Sequence, residues 1–167
     1  MSRGFVKEGD QEETPIIPQR AALPVGATNY VTPAGMELLQ TEREQLEHER
    51  ATLTTTDEQQ RRIELAVLNG KLGLLNERIA SARILDPSTQ PTDEVRFGAM
   101  VTYKIAPSAT PQTFQIVGVD EADVAKKKIA FVAPIAVALT GHKVGDVVEF
   151  KMGMESRKLE VIGISYE

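Results

Sequence analysis

Between Pro33 and Leu85 the apolar residues recur at alternating three- and four-residue steps, and beyond Asp93 they recur at every second position. A helix gathers i, i+3, i+4 and i+7 on one face, whereas a strand gathers i, i+2 and i+4. No single kind of element satisfies both periods. The chain is therefore read as α+β: an N-terminal antiparallel helical hairpin, in effect a coiled coil, followed by a small antiparallel β domain with a short helix.

The hairpin is predicted over residues 30–86. Thr32-Pro33 opens it, because threonine caps free backbone N–H groups and proline fits the first helical position, where its missing N–H is not needed. Met36, Leu39, Arg43, Leu46, Arg50 and Leu53 form the first seam, with arginine replacing an aliphatic residue in alternate layers. Arginine stems cover apolar surface while the guanidinium stays wet, so one partner helix is expected and no larger bundle. The second seam is Leu65, Leu68, Leu72, Leu75, Ile79 and Ala82. Gly70 and Gly73 interrupt it at a cost of about 1 kcal/mol each relative to alanine, and close approach of the two helices is the expected reason. The short link Thr54–Thr56 makes the helices antiparallel, a first helix of this length spans roughly 30 Å, and Asp86-Pro87 is expected to stop the second.

Residues 1–29 read as an extended or mobile arm. Glu8 to Glu13 is polar and acidic, and Pro15, Pro18 and Pro24 keep the backbone extended. Docking of Thr14–Pro18 as an edge strand is the alternative. Residues 87–93 form a linker, and 94–167 the second domain. There, Val101, Tyr103 and Ile105 share one face of a strand, and Phe114 and Ile116 share a face of another. Further strands are expected at Lys128–Val132, Val147–Lys151 and Lys158–Tyr166, with a short helix at Pro134–Leu139 closed by Gly141.

Composition narrows the function classes. The net charge of −5 argues against reading duplex DNA, which needs clustered Lys and Arg to displace counterions. There is no cysteine and there are two histidines, His48 and His142, far apart in the chain. Disulfides, cysteine-based zinc sites and histidine-rich metal sites are thereby excluded. No stretch approaches membrane-span length, and the first residues hold no apolar run of signal-peptide length. The expectation is a soluble cytoplasmic protein with no membrane partner.

The segment Ala133-Pro134-Ile135-Ala136-Val137-Ala138-Leu139, followed by Lys143-Val144-Gly145-Asp146, resembles a signature of the bacterial Gre (GreA/GreB) transcription elongation factors. Three more matches keep the family's order: Tyr30-Val31-Thr32-Pro33, Phe97-Gly98-Ala99-Met100-Val101-Thr102, and Ile116-Val117-Gly118-Val119-Asp120-Glu121-Ala122-Asp123. The resemblance covers roughly Asn29 to Glu167. It implies an FKBP-like C-terminal domain that grips bacterial RNA polymerase at the secondary channel, and a coiled coil that enters the channel near the 3′ end of the nascent RNA. It implies no enzyme activity and no cofactor of the chain's own. In the family, two acids at the tip help the polymerase hold Mg²⁺, which activates water for transcript cleavage. On this reading Ala133, Pro134, Ile135, Asp120 and Glu121 face the polymerase, and Asp57 and Glu58 are the candidate tip acids.

The tip departs from that pattern. The family spaces its acids three apart, whereas Asp57 and Glu58 are adjacent and diverge on a helix. Thr56-Asp57-Glu58-Gln59 also matches a capping box, in which acids in the first turn suit the helix dipole. The hairpin is shorter than the family's by about two to three turns, or roughly 11–16 Å. The leading expectation is a polymerase-binding regulator without cleavage stimulation; a true cleavage factor using Asp57 and Glu58 is the alternative. The family serine before the proline is Ala133 here, and its arginine is Val137. Local packing accounts for Ala133–Ile135 equally well, and a solvated acidic turn accounts for Asp120, Glu121 and Asp123. Arg61, Arg62, Lys71, Arg78 and Arg83 either approach RNA and channel acids or line a solvated helix face. A prolyl isomerase is disfavoured, since its pocket needs aromatic walls and this chain has no tryptophan and 5% aromatics. A generic coiled-coil module does not explain the ordered C-terminal matches.

Overall fold

The computed structural model describes residues 14–166. The acidic run Glu8–Glu13 lies outside the described residues.

Thr32 caps the first helix, α1 (Pro33–Ala51), its hydroxyl accepting from the Gly35 N–H with proline at the first helical position. The chain turns over residues 52–57 and returns as α2 (Glu58–Ser81). Leu39 and Leu46 of α1 are buried against Leu68, Leu72 and Leu75 of α2, with Met36, Leu53 and Ile79 packed around them. Of the two seam arginines, Arg43 is half-buried and Arg50 is exposed, donating to Asn69 Oδ1 at 3.0 Å.

Four expectations change at this level. The second helix ends at Ser81, well before Asp86-Pro87. Residues Ala82–Ile84 leave the helix to form a short strand, β2, that pairs in parallel with β1 (Asn29–Val31). Asn29 reinforces the exit, its Nδ2 donating to the Arg78 carbonyl and Ser81 Oγ. The glycines of α2 do not mark close helix approach either. A Cβ on Gly70 would collide with Ile17 of the N-terminal arm, and a Cβ on Gly73 would meet open space. The arm itself, residues 14–28, has no regular strand and lies against the hairpin, held by Ile17 and Arg20.

The cap of α2 also sits one residue later than the capping-box pattern suggests. Asp57 is the N-cap, its Oδ2 accepting from the Gln60 N–H at 2.9 Å. Two residues earlier, Thr55 donates to Glu64 Oε2, tying the loop to α2.

Beyond the linker the chain forms a five-stranded sheet from β3 (Met100–Ile105), β4 (Gln112–Val117), β5 (Lys128–Ala130), β6 (Val147–Met152) and β7 (Glu155–Ser165), in the order β5-β4-β3-β7-β6. All neighbours are antiparallel except β4 and β5, which are parallel. This is the one departure from an antiparallel sheet, and it follows from the compact turn at residues 118–127 carrying the chain back to Gln115, midway along β4. Helix α3 (Pro134–Leu139) covers one face. Ala136 and Leu139 from α3 join Val101, Tyr103, Phe114, Ile116, Leu159 and Val161 in the second core. Tyr103 and Phe114 meet edge to face there, with ring centroids 5.2 Å apart.

Candidate functional site

Two places concentrate the residues singled out by the sequence. One is the base of the hairpin, where it meets the sheet domain; the other is the tip.

The base is built around the β4–β5 turn. Gly118 lies against β1 so closely that a Cβ there would sit 2.5 Å from the Tyr30 carbonyl oxygen. Just after it, Asp120 and Glu121 point back into the molecule. Their side chains are only 6% and 3% exposed. Glu121 Oε1 accepts from the Thr32 hydroxyl at 2.5 Å, and Oε2 accepts from Lys128 Nζ at 3.2 Å. Thr32 thus accepts from Gly35 within α1 and donates across to the sheet domain, so the helix cap is also the joint. A glycine in a first helical turn is locally unfavourable by about 1 kcal/mol relative to alanine. Its reason is steric: a Cβ on Gly35 would lie 2.7 Å from Glu121 Oε1.

Asp120 holds two arginines. Arg78 Nη1 of α2 donates to Oδ2 at 2.9 Å, and Arg20 Nε of the arm donates to Oδ1 at 2.8 Å. The Arg20 fork also takes both oxygens of Glu42 on α1, at 2.6 and 3.0 Å. Hydrogen bonding to Glu42, with Asp120 adding to it, raises the Arg20 guanidinium above its already high ordinary pKa, against the burial that lowers it. A planar guanidinium serves this role because its donors match a carboxylate bidentately and leave one for a second acid. Tyr30, Phe97 and Phe131 complete the joint as a ring cluster with centroids 5.7–5.9 Å apart.

These contacts correct the expected roles of Asp120 and Glu121. Neither lies in a solvated acidic turn, and neither carboxylate faces outward toward a partner; each is engaged inside the molecule. Arg78 is likewise no solvated helix-face charge. The sequence carried one usable signal for this, the unfavourable Gly35, but its partner lies 86 residues further on.

Ala133, Pro134 and Ile135 sit at the start of α3. Pro134 is exposed, while Ala133 and Ile135 are half-buried against the core. Ala133 occupies the N-cap position and makes no side-chain cap bond, unlike Thr32 and Asp57. Val137 follows, exposed at 61%. The loop after α3 is pinned by Asp146, whose carboxylate accepts from the Lys143 N–H at 2.9 Å and contacts His142 Nδ1 at 3.2 Å. The Lys143 N–H and then His142 hold this carboxyl below its ordinary range. A cleft of about 420 Å³ lined by Tyr30, Phe97, Phe131, Val137 and Thr140 separates α3 from the hairpin base.

The tip is chemically sparse. Asp57 and Glu58 are both exposed, and the Asp57 carboxylate is occupied in capping α2. Among the described residues no group of three or more Asp, Glu or His side chains is placed to hold a metal ion. No helix of the described residues is long and apolar enough to cross a membrane.

Residues 90–166 match the family model "Transcription elongation factor, GreA/GreB, C-term". Over 100 residues the chain is 38% identical to the Transcription elongation factor GreA of Pelobacter propionicus, covering 60% of this chain and 63% of that protein. A second GreA, of Hyphomonas neptunium, is 39% identical over 100 residues, covering 60% and 64%. The chain thus spans less than two thirds of the length of the curated relatives it matches. The GreA factor homolog 1 (Gfh1) of Thermus thermophilus superposes with a TM-score of 0.39 at 23% identity, covering 83% of this chain and 99% of that one.

Proposed function

We propose that this chain, whose residues 90–166 match the GreA/GreB C-terminal family model, is a factor of that family that binds bacterial RNA polymerase and regulates elongation by inserting its helical hairpin into the secondary channel, without stimulating transcript cleavage. The observation that carries the first part is the family match of the sheet domain, joined through a charge-paired base to a two-helix projection. Pro134 and Val137, exposed on α3, with the half-buried Ile135 between them, form the polymerase-facing surface. Asp120 and Glu121 act behind it, by fixing the hairpin.

The tip supports the second part. A carboxylate that helps hold Mg²⁺ must present its oxygens outward and converge with another acid. Asp57 accepts from Gln60 in its own helix. Glu58 is the next residue and opens the helix, while Asp57 has extended backbone, and no third acid or histidine joins them in a metal-holding group among the described residues.

Retention of core polymerase on the immobilised full chain tests the binding. Retention of the parent and its loss on Val137→Glu are expected; a parent chain that retains no polymerase overturns the proposal. Addition to backtracked elongation complexes tests the tip. Transcripts of unchanged length are expected at saturating protein. Shortening that disappears with Asp57→Ala plus Glu58→Ala would instead establish the cleavage-factor reading.

A further inference from the structure

The arm at residues 14–28 is not required by either core, yet it touches both halves of the molecule. Arg20 is the pivot. Its side chain is 17% exposed, and it joins Glu42 on α1 to Asp120 in the sheet domain through three hydrogen bonds. Next to it, Arg78 Nη2 of α2 donates to the Ala21 carbonyl at 2.5 Å while Nη1 holds Asp120. Three separate parts of the chain, arm, hairpin and sheet domain, thus meet in one network of two arginines and two acids. Further along, Ile17 fills the space that the missing Cβ of Gly70 leaves on α2.

We propose that the arm is an intramolecular strap that fixes the angle between the hairpin and the sheet domain. Apart from the arm, the contacts described above between the hairpin and the sheet domain lie at its root: Tyr30 and Thr32 just before α1, Gly35 in its first turn, and Arg78 in the last turn of α2. Contacts confined to one end of a long lever resist rotation poorly. Arg20 takes hold of Glu42, more than two turns up α1, and Ile17 takes hold of Gly70, about three turns from the end of α2. The strap therefore braces both helices away from the pivot. A bidentate fork resists bending in its own plane, which a single ammonium contact does not. This inference concerns the isolated chain and stands whether or not the chain binds polymerase.

The absence of cysteine makes a direct test available. Thr56→Cys at the tip and Lys151→Cys on β6, both exposed positions, carry spin labels in the full chain. Pulsed electron resonance then reads the distribution of tip-to-domain distances. The parent is expected to give one narrow distribution, Glu42→Ala a broader one, and Arg20→Ala one at least twice the parent width, with helical circular dichroism retained. Glu42→Ala leaves the Asp120 pairs in place and decides the question if Arg20→Ala does not fold. A width unchanged from the parent in Glu42→Ala, or in both variants, overturns the strap.

Discussion

Both ends of the hairpin carry carboxylates, and the two ends use them in opposite ways. At the base, Asp120 and Glu121 are almost wholly buried and hold Arg20, Arg78, Thr32 and Lys128. At the tip, Asp57 and Glu58 are exposed, and the Asp57 carboxylate forms a local helix cap. A buried carboxylate is tolerated only when its oxygens are satisfied, so the base acids are committed to geometry. An exposed one stays hydrated whether or not anything approaches it. The molecule thus applies its electrostatics to where the hairpin points, and leaves its end chemically plain.

Substitutions that separate the two ends should differ most in stability. Glu121→Ala strips the Thr32 hydroxyl and the Lys128 ammonium of a shared buried acceptor, and a loss of about 3 kcal/mol is expected from the denaturation midpoint. A loss below about 1 kcal/mol would place the base on a par with the tip and break the contrast.

Glycine replacements sharpen it next. Gly73→Ala meets open space and should stabilise α2 by about 1 kcal/mol, the ordinary helix-propensity gain. Gly35→Ala offers the same gain but forces a Cβ against Glu121, so it should destabilise by about 1–3 kcal/mol despite alanine's propensity. Thermal melts of the two variants should therefore shift in opposite directions.

At the tip, Asp57→Ala removes a cap worth about 1 kcal/mol and nothing more. Polymerase retention by this variant should match the parent in the same pull-down.

The smallest effect belongs to pH. The folded Asp146 carboxyl is held below its ordinary range by the Lys143 N–H and by His142. Its contribution is therefore fully present above the unfolded carboxyl value, about 4, and disappears as pH falls through the lower folded value. Denaturation midpoints of the parent and Asp146→Asn should converge as pH falls from about 5 through the lowered folded value.

Features whose cause is local could be read from the chain. Thr32-Pro33 announced the start of α1 because a cap and its recipient N–H lie three residues apart. Pro134–Leu139 was expected as a helix and is one. The alternation at Val101, Tyr103, Phe114 and Ile116 placed those residues on a buried sheet face, where they are. Asp57 shows the limit even of local reading. Both it and Thr56 suit an N-cap, and Asp57 is the one that caps α2.

The site at the base was not legible. Arg20 pairs with a residue 100 positions away, and Thr32 with one 89 away. The acids of Val119-Asp120-Glu121-Ala122-Asp123 look equally solvated in sequence, though Asp120 and Glu121 are buried and Asp123 caps the turn that follows.

The sequence by itself determined the two periods, hence a helical hairpin followed by a sheet, the position of the first cap, and the sparse chemistry of the tip. These follow from spacing and residue type, which act over a few residues. Only the tertiary structure decided that α2 ends early to pair with β1, that the arm lies along the hairpin, and that the acids after β4 turn inward. Each of these depends on which distant groups are close enough to satisfy a buried donor or acceptor, and proximity across a folded chain is not encoded in any local pattern.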